Sequence, residues 1–210
     1  MYMTTLLITA TIIFGLSALY FFTFRKQYGS HFPWLVSFIT VISYLVIIMN
    51  TSGAVDPVSL LWTRWVGYGV SCTLLTASMV KIFGLTGNQK TTALILTPLI
   101  MLTGVLAAIA SNVTFLILFF AIGMVPFLAL ISLLKKASTP KNASVLNYVY
   151  FGWMAFPVIF LLSPESFSVV ESLPLILGAY LIADVFTKIV FYVTSRKFLR
   201  GNREERESLG

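Results

Sequence analysis

Seven long apolar stretches follow one another along this sequence, and they constrain its fold more than any other feature. They cover residues 4–24, 33–50, 58–80, 91–110, 113–134, 145–163 and 172–195. Most of them hold close to the ~20 residues that a helix needs to cross the hydrocarbon core of a bilayer. The sequence therefore predicts an all-α membrane protein, a bundle of seven transmembrane helices that crosses the cell membrane several times.

The composition agrees with a lipid bilayer as the surrounding solvent. Of the 210 residues, 58% are hydrophobic and only 10% are charged, whereas a soluble domain carries about 25% charged residues. The net charge of +7 comes from short basic clusters between the apolar stretches, a pattern typical of a membrane surface rather than of a nucleic-acid-binding protein. Cys72 is the only cysteine, which excludes an internal disulfide and a thiolate metal cluster.

The links between the stretches are short, so neighbouring helices are predicted to run antiparallel in one bundle. Residues 1–195 form this single domain, and residues 196–210 form a polar tail. Basic residues follow the first, third, fifth and seventh stretches, whereas the opposite links hold Asp56, Glu165 and Glu171 and neither Lys nor Arg. The positive-inside rule then places the N-terminus outside and the C-terminus in the cytoplasm.

Three strongly ionisable residues lie within the predicted spans: Arg64, Asp184 and Lys188. Charges are costly in hydrocarbon, so each one indicates a function or an ion pair. A lysine in apolar surroundings is a good nucleophile and can condense with an aldehyde. The resulting protonated Schiff base needs an anion, and Asp184, four residues before Lys188, shares its helix face. Arg64 is expected to balance Asp184 from the outer side; a purely structural ion pair between the third and seventh helices is the alternative.

Motifs in four of the stretches carry a resemblance to a known family. They are Ala18-Leu19-Tyr20-Phe21, Leu61-Trp-Thr-Arg64-Trp65, Trp153-Met-Ala-Phe156-Pro157-Val-Ile-Phe160 and Asp184-Val-Phe-Thr-Lys188. In their order and spacing the chain resembles the microbial rhodopsins over nearly its whole length. The resemblance implies all-trans retinal held covalently on Lys188 as a protonated Schiff base, Asp184 as its counterion, and a light-driven rather than an enzymatic function.

The same resemblance implies a retinal pocket formed by helices three to six. Its expected residues are Tyr68, Ser71, Cys72, Leu75, Thr103, Gly104, Phe120, Gly123, Trp153, Phe156 and Phe160. Ordinary packing in a bundle would explain any one of these aromatic residues, and close approach of two helices would explain the glycines. The prediction of a pocket therefore depends on their joint positions.

Two positions depart from the outward proton pumps of this family. Those pumps have a carboxylate three residues after the helix-three arginine, which accepts the Schiff-base proton, and often another carboxylate eleven residues further on, which acts as proton donor. Here these positions are Gly67 and Ser78. Glycine has no side chain and serine does not titrate in the required range, so an outward pump of the usual kind is not expected.

The pair Ser71-Cys72 resembles the schizorhodopsins, which are inward light-driven proton pumps, and their Antarctic relatives. Schizorhodopsins also lack the helix-three acceptor and keep the helix-seven Asp as the main counterion. The match is partial, because they typically have Phe at the position of Gly67 and Glu at that of Ser78. An inward proton pump is therefore the favoured function. The lipid bilayer is its expected surrounding, and the resemblance implies a homo-oligomer, namely a trimer.

Two alternatives stay open. An inward chloride pump also lacks the acceptor carboxylate, because the anion lies beside Arg64, where Ser71 could donate a hydrogen bond; Gly67 offers no such donor. A photosensor needs only a slow photocycle and a signalling partner. The link acids Glu165 and Glu171 are equally well explained as solvated loop charges or as groups that guide proton exchange on the outer face.

Overall fold

The computed structural model describes residues 2–51 and 57–207, and within them the side chains of residues 3–49 and 64–200. All regular elements in these ranges are helices, which confirms the all-α prediction. They are α1 (Tyr2–Thr23), a short helix (Arg25–Tyr28), α2 (Phe32–Thr51), α3 (Pro57–Ile82), α4 (Gly87–Ala108), α5 (Val113–Ala137), α6 (Ala143–Leu162), and three segments that continue one another without a break. These segments, Leu173–Asp184, the π-helical Val185–Val190 and Phe191–Glu207, are together called α7.

Six described helices are long and apolar enough to cross a membrane. They are α1, α2, α4, α5, α6 and the part of α7 that ends at Arg200. Large apolar side chains on their outer faces, such as Leu16, Phe151 and Ile182, are exposed, as expected for a surface solvated by lipid. The chain is thus a multi-pass membrane protein. Seven spans and an outer N-terminus remain predictions. The side chains of residues 57–63 lie outside the described set, and with them the motif residues Leu61, Trp62 and Thr63. Asp56 also lies outside the described residues.

Local sequence explains where several helices begin. The Asn112 side chain accepts a hydrogen bond from the backbone N–H of Phe115 at 3.0 Å and caps the start of α5, as asparagine commonly does. Gly84, in the turn after α3, and Gly87, the first residue of α4, adopt positive φ angles of 66° and 48°, which glycine accepts easily. At the other end of the chain α7 continues to Glu207, so the predicted tail begins as an extension of the last helix.

The centre of α7 lies inside the bundle. Segments of this helix pack against α1, α2, α3 and α6, and Asp184, Thr187, Lys188 and Tyr192 are all buried. Neighbouring helices from α1 to α5 pack pairwise along the sequence. This arrangement brings residues from distant parts of the chain around one lysine.

The middle of α7 departs from regular α geometry. Over Val185–Val190 the helix takes the wider π form, and the backbone N–H of Phe191 bonds to the carbonyl oxygen of Phe186, five residues earlier. The side chain of Thr187 donates to the carbonyl of Ala183 at 2.7 Å. Lys188 lies within this segment, whose π form was not among the sequence predictions.

Candidate functional site

Lys188 and Asp184 form an ion pair in the interior of the bundle. Lys188 Nζ lies 2.8 Å from Asp184 Oδ1, and both side chains are buried. The other carboxylate oxygen, Oδ2, accepts hydrogen bonds from Tyr44 Oη at 2.9 Å and from Tyr68 Oη at 3.0 Å. Lys188 Nζ also donates to Thr40 Oγ1 at 3.2 Å. Charged, hydrogen-bonded partners compensate one another where water is excluded, so the site holds a primary amine beside a fixed anion.

Arg64, which was predicted to balance Asp184, has its direct ion-pair partner elsewhere. Arg64 Nη2 instead pairs with Glu165 Oε1 at 2.7 Å, and both side chains are buried. Trp65 Nε1 donates to Glu165 Oε2 at 3.1 Å. The guanidinium carbon lies 3.4 Å from the centre of the Tyr180 ring, a favourable position for a cation over an aromatic face. Arg64 and Glu165 therefore form a second buried ion pair, separate from the first.

Glu165 is buried, so of its two sequence interpretations the solvated loop charge is wrong; its pairing with Arg64 was not predicted. The link after α6 folds back on the helix end: the N–H groups of Ser166 and Ser168 both bond to the carbonyl of Ser163 at 3.0 Å. This fold carries the Glu165 carboxylate into the bundle. One signal was available, because Arg64, Lys188 and Asp184 alone would leave an unpaired buried cation, which is strongly unfavourable.

An apolar cavity is bounded by α3, α4, α5, α6 and, through Thr187, α7. Ten of the eleven residues predicted for the pocket line it: Tyr68, Cys72, Leu75, Thr103, Gly104, Phe120, Gly123, Trp153, Phe156 and Phe160. Ser71 does not line it; its hydroxyl is buried without a protein hydrogen-bond partner among the described residues. Further lining residues were not predicted: Trp65, Ile100, Met101, Phe119, Met124, Phe127, Pro157 and Thr187.

The cavity and the amine share one wall. The ring of Tyr68 lines the cavity, and its centre lies 4.4 Å from Lys188 Nζ. Thr187, the residue next to the lysine, also lines the cavity. Phe120 and Phe160 stack with their ring centres 6.0 Å apart and their planes at 11°. An aromatic cavity with a buried primary amine next to its lining residue Tyr68 fits an apolar aldehyde such as retinal.

The two pocket glycines also allow close packing between helices. A Cβ atom on Gly104 would overlap the ring of Trp65, and one on Gly123 would lie 2.5 Å from Thr103 Oγ1. Trp65 and Thr103 themselves line the cavity. These two glycines therefore let neighbouring helices pack closely, as the alternative explanation states, and this close packing also shapes the cavity.

The two positions that depart from outward pumps lie in different surroundings. A Cβ atom on Gly67 of α3 would overlap the Ser43 hydroxyl of α2, so the space of a larger side chain is already filled. Ser78 is fully buried, and its hydroxyl lies 2.9 Å from Tyr192 Oη. Among the side chains that the structure describes, Asp184 and Glu165 are the buried carboxylates.

The fold and this site together define a class of protein, and comparison with known families agrees. The family described as bacteriorhodopsin-like protein matches residues 1–195, and the chain belongs to it. Members of this microbial rhodopsin family bind retinal.

Three solved structures illustrate the similarity. The crystal structure of schizorhodopsin 4 is 27% identical, with a TM-score of 0.83 over 92% of this chain and 98% of that one. The thermophilic rhodopsin from Rubrobacter xylanophilus is 20% identical, with a TM-score of 0.81 over 96% and 99%. Halorhodopsin, described as a light-driven chloride pump, is 18% identical, with a TM-score of 0.82 over 98% and 97%. The last two likenesses show the fold alone. No curated protein matches this sequence.

Proposed function

We propose that this chain carries all-trans retinal covalently on Lys188 as a protonated Schiff base and moves protons inward across the membrane in light. The observation that carries this proposal is the buried Lys188 amine, 2.8 Å from Asp184 and beside an apolar aromatic cavity. Retinal supplies light absorption and isomerisation when bound. We further propose seven spans, an outer N-terminus and a homo-oligomer, a trimer by resemblance.

Asp184 is suited to the role of counterion. It faces the Lys188 amine on one oxygen, and its other oxygen accepts from two tyrosine hydroxyls. Charge-assisted hydrogen bonds of this kind stabilise a carboxylate and hold it in place. A carboxylate so engaged stabilises the cation on Lys188, which is what a protonated Schiff base requires.

The inward direction is supported by what surrounds the amine. On α3, the acceptor position of outward pumps is Gly67, and Ser43 fills the space of its missing side chain. Lys188 donates to Thr40, one turn nearer the start of α2 than Tyr44 and thus on the predicted cytoplasmic side of the pair. A proton that leaves Lys188 toward that side therefore meets the Thr40 hydroxyl first. The similarity to schizorhodopsin 4 agrees with the resemblance carried by Ser71-Cys72.

Chloride transport is less well supported by the charges of the site. The buried cations Arg64 and Lys188 each have a carboxylate partner within 2.8 Å, Glu165 for the first and Asp184 for the second. Among the described buried side chains, no excess positive charge is left to attract a chloride ion. A chloride ion beside Lys188 would have to displace the Asp184 carboxylate or lie next to it. Two negative charges in contact in a buried site repel each other strongly.

The proposal is tested by illuminating a suspension of cells that express the chain with added retinal and recording the external pH. Net inward proton transport should make the medium alkaline, and a protonophore should abolish the change. The Lys188→Ala variant, which lacks the attachment site, is the matched control and should give no signal. A light signal that a protonophore enlarges would indicate transport of another ion with passive proton entry, and a photocycle without any signal would indicate a sensor.

A further inference from the structure

The π segment that contains Lys188 is held by the neighbouring helix α6. The half-buried Tyr148 of α6 donates its hydroxyl hydrogen bond to the carbonyl oxygen of Phe186, two residues before the lysine. The two aromatic rings stack with centres 4.1 Å apart and planes at 16°. The same carbonyl accepts the N–H of Phe191 in the π pattern. This carbonyl therefore has two donors, one from each helix.

Gly152 lies one turn after Tyr148 and on the same face of α6. A Cβ atom at Gly152 would lie 2.8 Å from the methyl carbon of Thr187, so the missing side chain allows Thr187 to press against α6. The Thr187 hydroxyl in turn donates to the carbonyl of Ala183 at 2.7 Å. Tyr148 and Gly152, here called the α6 clamp, thus contact Phe186 and Thr187, whereas the next side chain, Lys188, is buried in the interior.

A π turn needs such support. It is rarer and less favourable than an α turn and persists mostly as a short interruption at functional sites. Within a membrane each backbone polar group must find a partner inside the protein. One residue corresponds to about 100° of rotation in an α-helix. A change from π to α register would therefore turn the side chains of this segment relative to Asp184, which precedes it.

From these contacts we infer that Tyr148 is a positioning residue, whose hydroxyl holds the π register of α7 and thereby sets the geometry between Lys188 and its counterion. Tyr148 touches neither Lys188 nor Asp184; it acts through the Phe186 carbonyl. The inference deepens the proposed function and rests on it for its spectroscopic consequence, whereas the backbone contact itself does not depend on a bound group.

The first test uses the full chain without retinal and measures hydrogen–deuterium exchange of residues 185–191. Tyr148→Phe keeps the ring and removes the hydroxyl. Exchange of the Phe191 amide should rise about fivefold, the effect of one hydrogen bond of usual net strength. Tyr150→Phe, the same substitution at an exposed position of α6, is the control and should leave exchange unchanged. If Tyr148→Phe also leaves it unchanged, the Tyr148 hydroxyl does not hold the π segment and the inference is overturned.

The second test adds retinal and records the absorption maximum and the rate of bleaching by hydroxylamine. Tyr148→Phe should shift the maximum and bleach several-fold faster, since the amine and its counterion are less well aligned. Gly152→Ala, which presses on Thr187 from the same helix, should shift the maximum as well. If Tyr148→Phe exchanges faster but neither Tyr148→Phe nor Gly152→Ala shifts the absorption maximum, Tyr148 has only a structural role and the inference is overturned. If the unmodified chain forms no pigment, the proposed function fails, and the exchange measurement still decides whether the clamp exists.

Discussion

Replacing Glu165 by glutamine would remove the charge that Arg64 faces without changing the size of the side chain. The Arg64–Glu165 pair is buried and its closest atoms are 2.7 Å apart. Removing one partner of a buried pair destabilises a protein by about 3–5 kcal/mol, because the other charge stays behind uncompensated. Glutamine can still accept from Arg64 or Trp65, and a neutral hydrogen bond contributes roughly 1 kcal/mol. We therefore expect Glu165→Gln to lower the free energy of unfolding by about 2–4 kcal/mol.

The measurement is unfolding of the purified chain in mixed micelles with increasing denaturing detergent, followed by circular dichroism. Glu171→Gln is the matched control, because Glu171 lies in the same link and is exposed; it should change the free energy by less than about 0.5 kcal/mol. The double variant Arg64→Gln/Glu165→Gln should be more stable than the sum of the single changes predicts, by about 2 kcal/mol.

If the losses of stability in Arg64→Gln and Glu165→Gln simply add up in the double variant, the pairing of Arg64 with Glu165 is refuted. A Glu165→Gln variant as stable as the Glu171→Gln control would mean that Arg64 finds another partner, and Asp184 would then be the obvious candidate. Under that result the original expectation, in which Arg64 balances Asp184, would have to be restored.

Three further changes test the site. Lys188→Ala should leave the chain colourless with added retinal, although still folded by circular dichroism; a visible pigment that survives would contradict the attachment site. Asp184→Asn should bleach or red-shift the pigment near neutral pH, since the cation on Lys188 loses its anion, and an unchanged spectrum would assign the counterion to another group such as bound chloride. Gly67→Ala should destabilise the fold by about 1–3 kcal/mol through overlap with Ser43, and Ser43→Ala should restore part of the loss; equal losses in the single and double variants would show that the overlap is not the cause.

The helices and much of the cavity could be predicted from the sequence because both depend on local patterns. A span is a continuous apolar stretch, and the positions of Trp153, Phe156 and Phe160 on one helix follow from their spacing and from the resemblance. The four-residue separation of Asp184 and Lys188 likewise places them on one helix face whatever surrounds them. The structure adds their separation, 2.8 Å between the charged atoms.

Features that depend on contacts between distant residues could not be predicted in the same way. The partner of Arg64 is 101 positions away in a link whose fold depends on its own hydrogen bonds. The π turn around Lys188 was not predicted, and its contacts with Tyr148 and Gly152 come from another helix. Counting the buried charges would have indicated that Arg64 needs a further carboxylate such as Glu165. No similar count of residues predicts where a helix changes from α to π geometry.

The pairing of the buried charges has an electrical consequence. Each described buried cation has its own carboxylate, so these four groups contribute no net charge to the resting interior of the bundle. The membrane voltage therefore exerts little net force on them as a set. In an inward proton pump of this design the transferred proton carries the charge across the field, and the associated work is about 2.3 kcal/mol per 100 mV. With the cell interior negative, this work favours inward movement, and the rate of the transfer step should rise as the voltage becomes more negative.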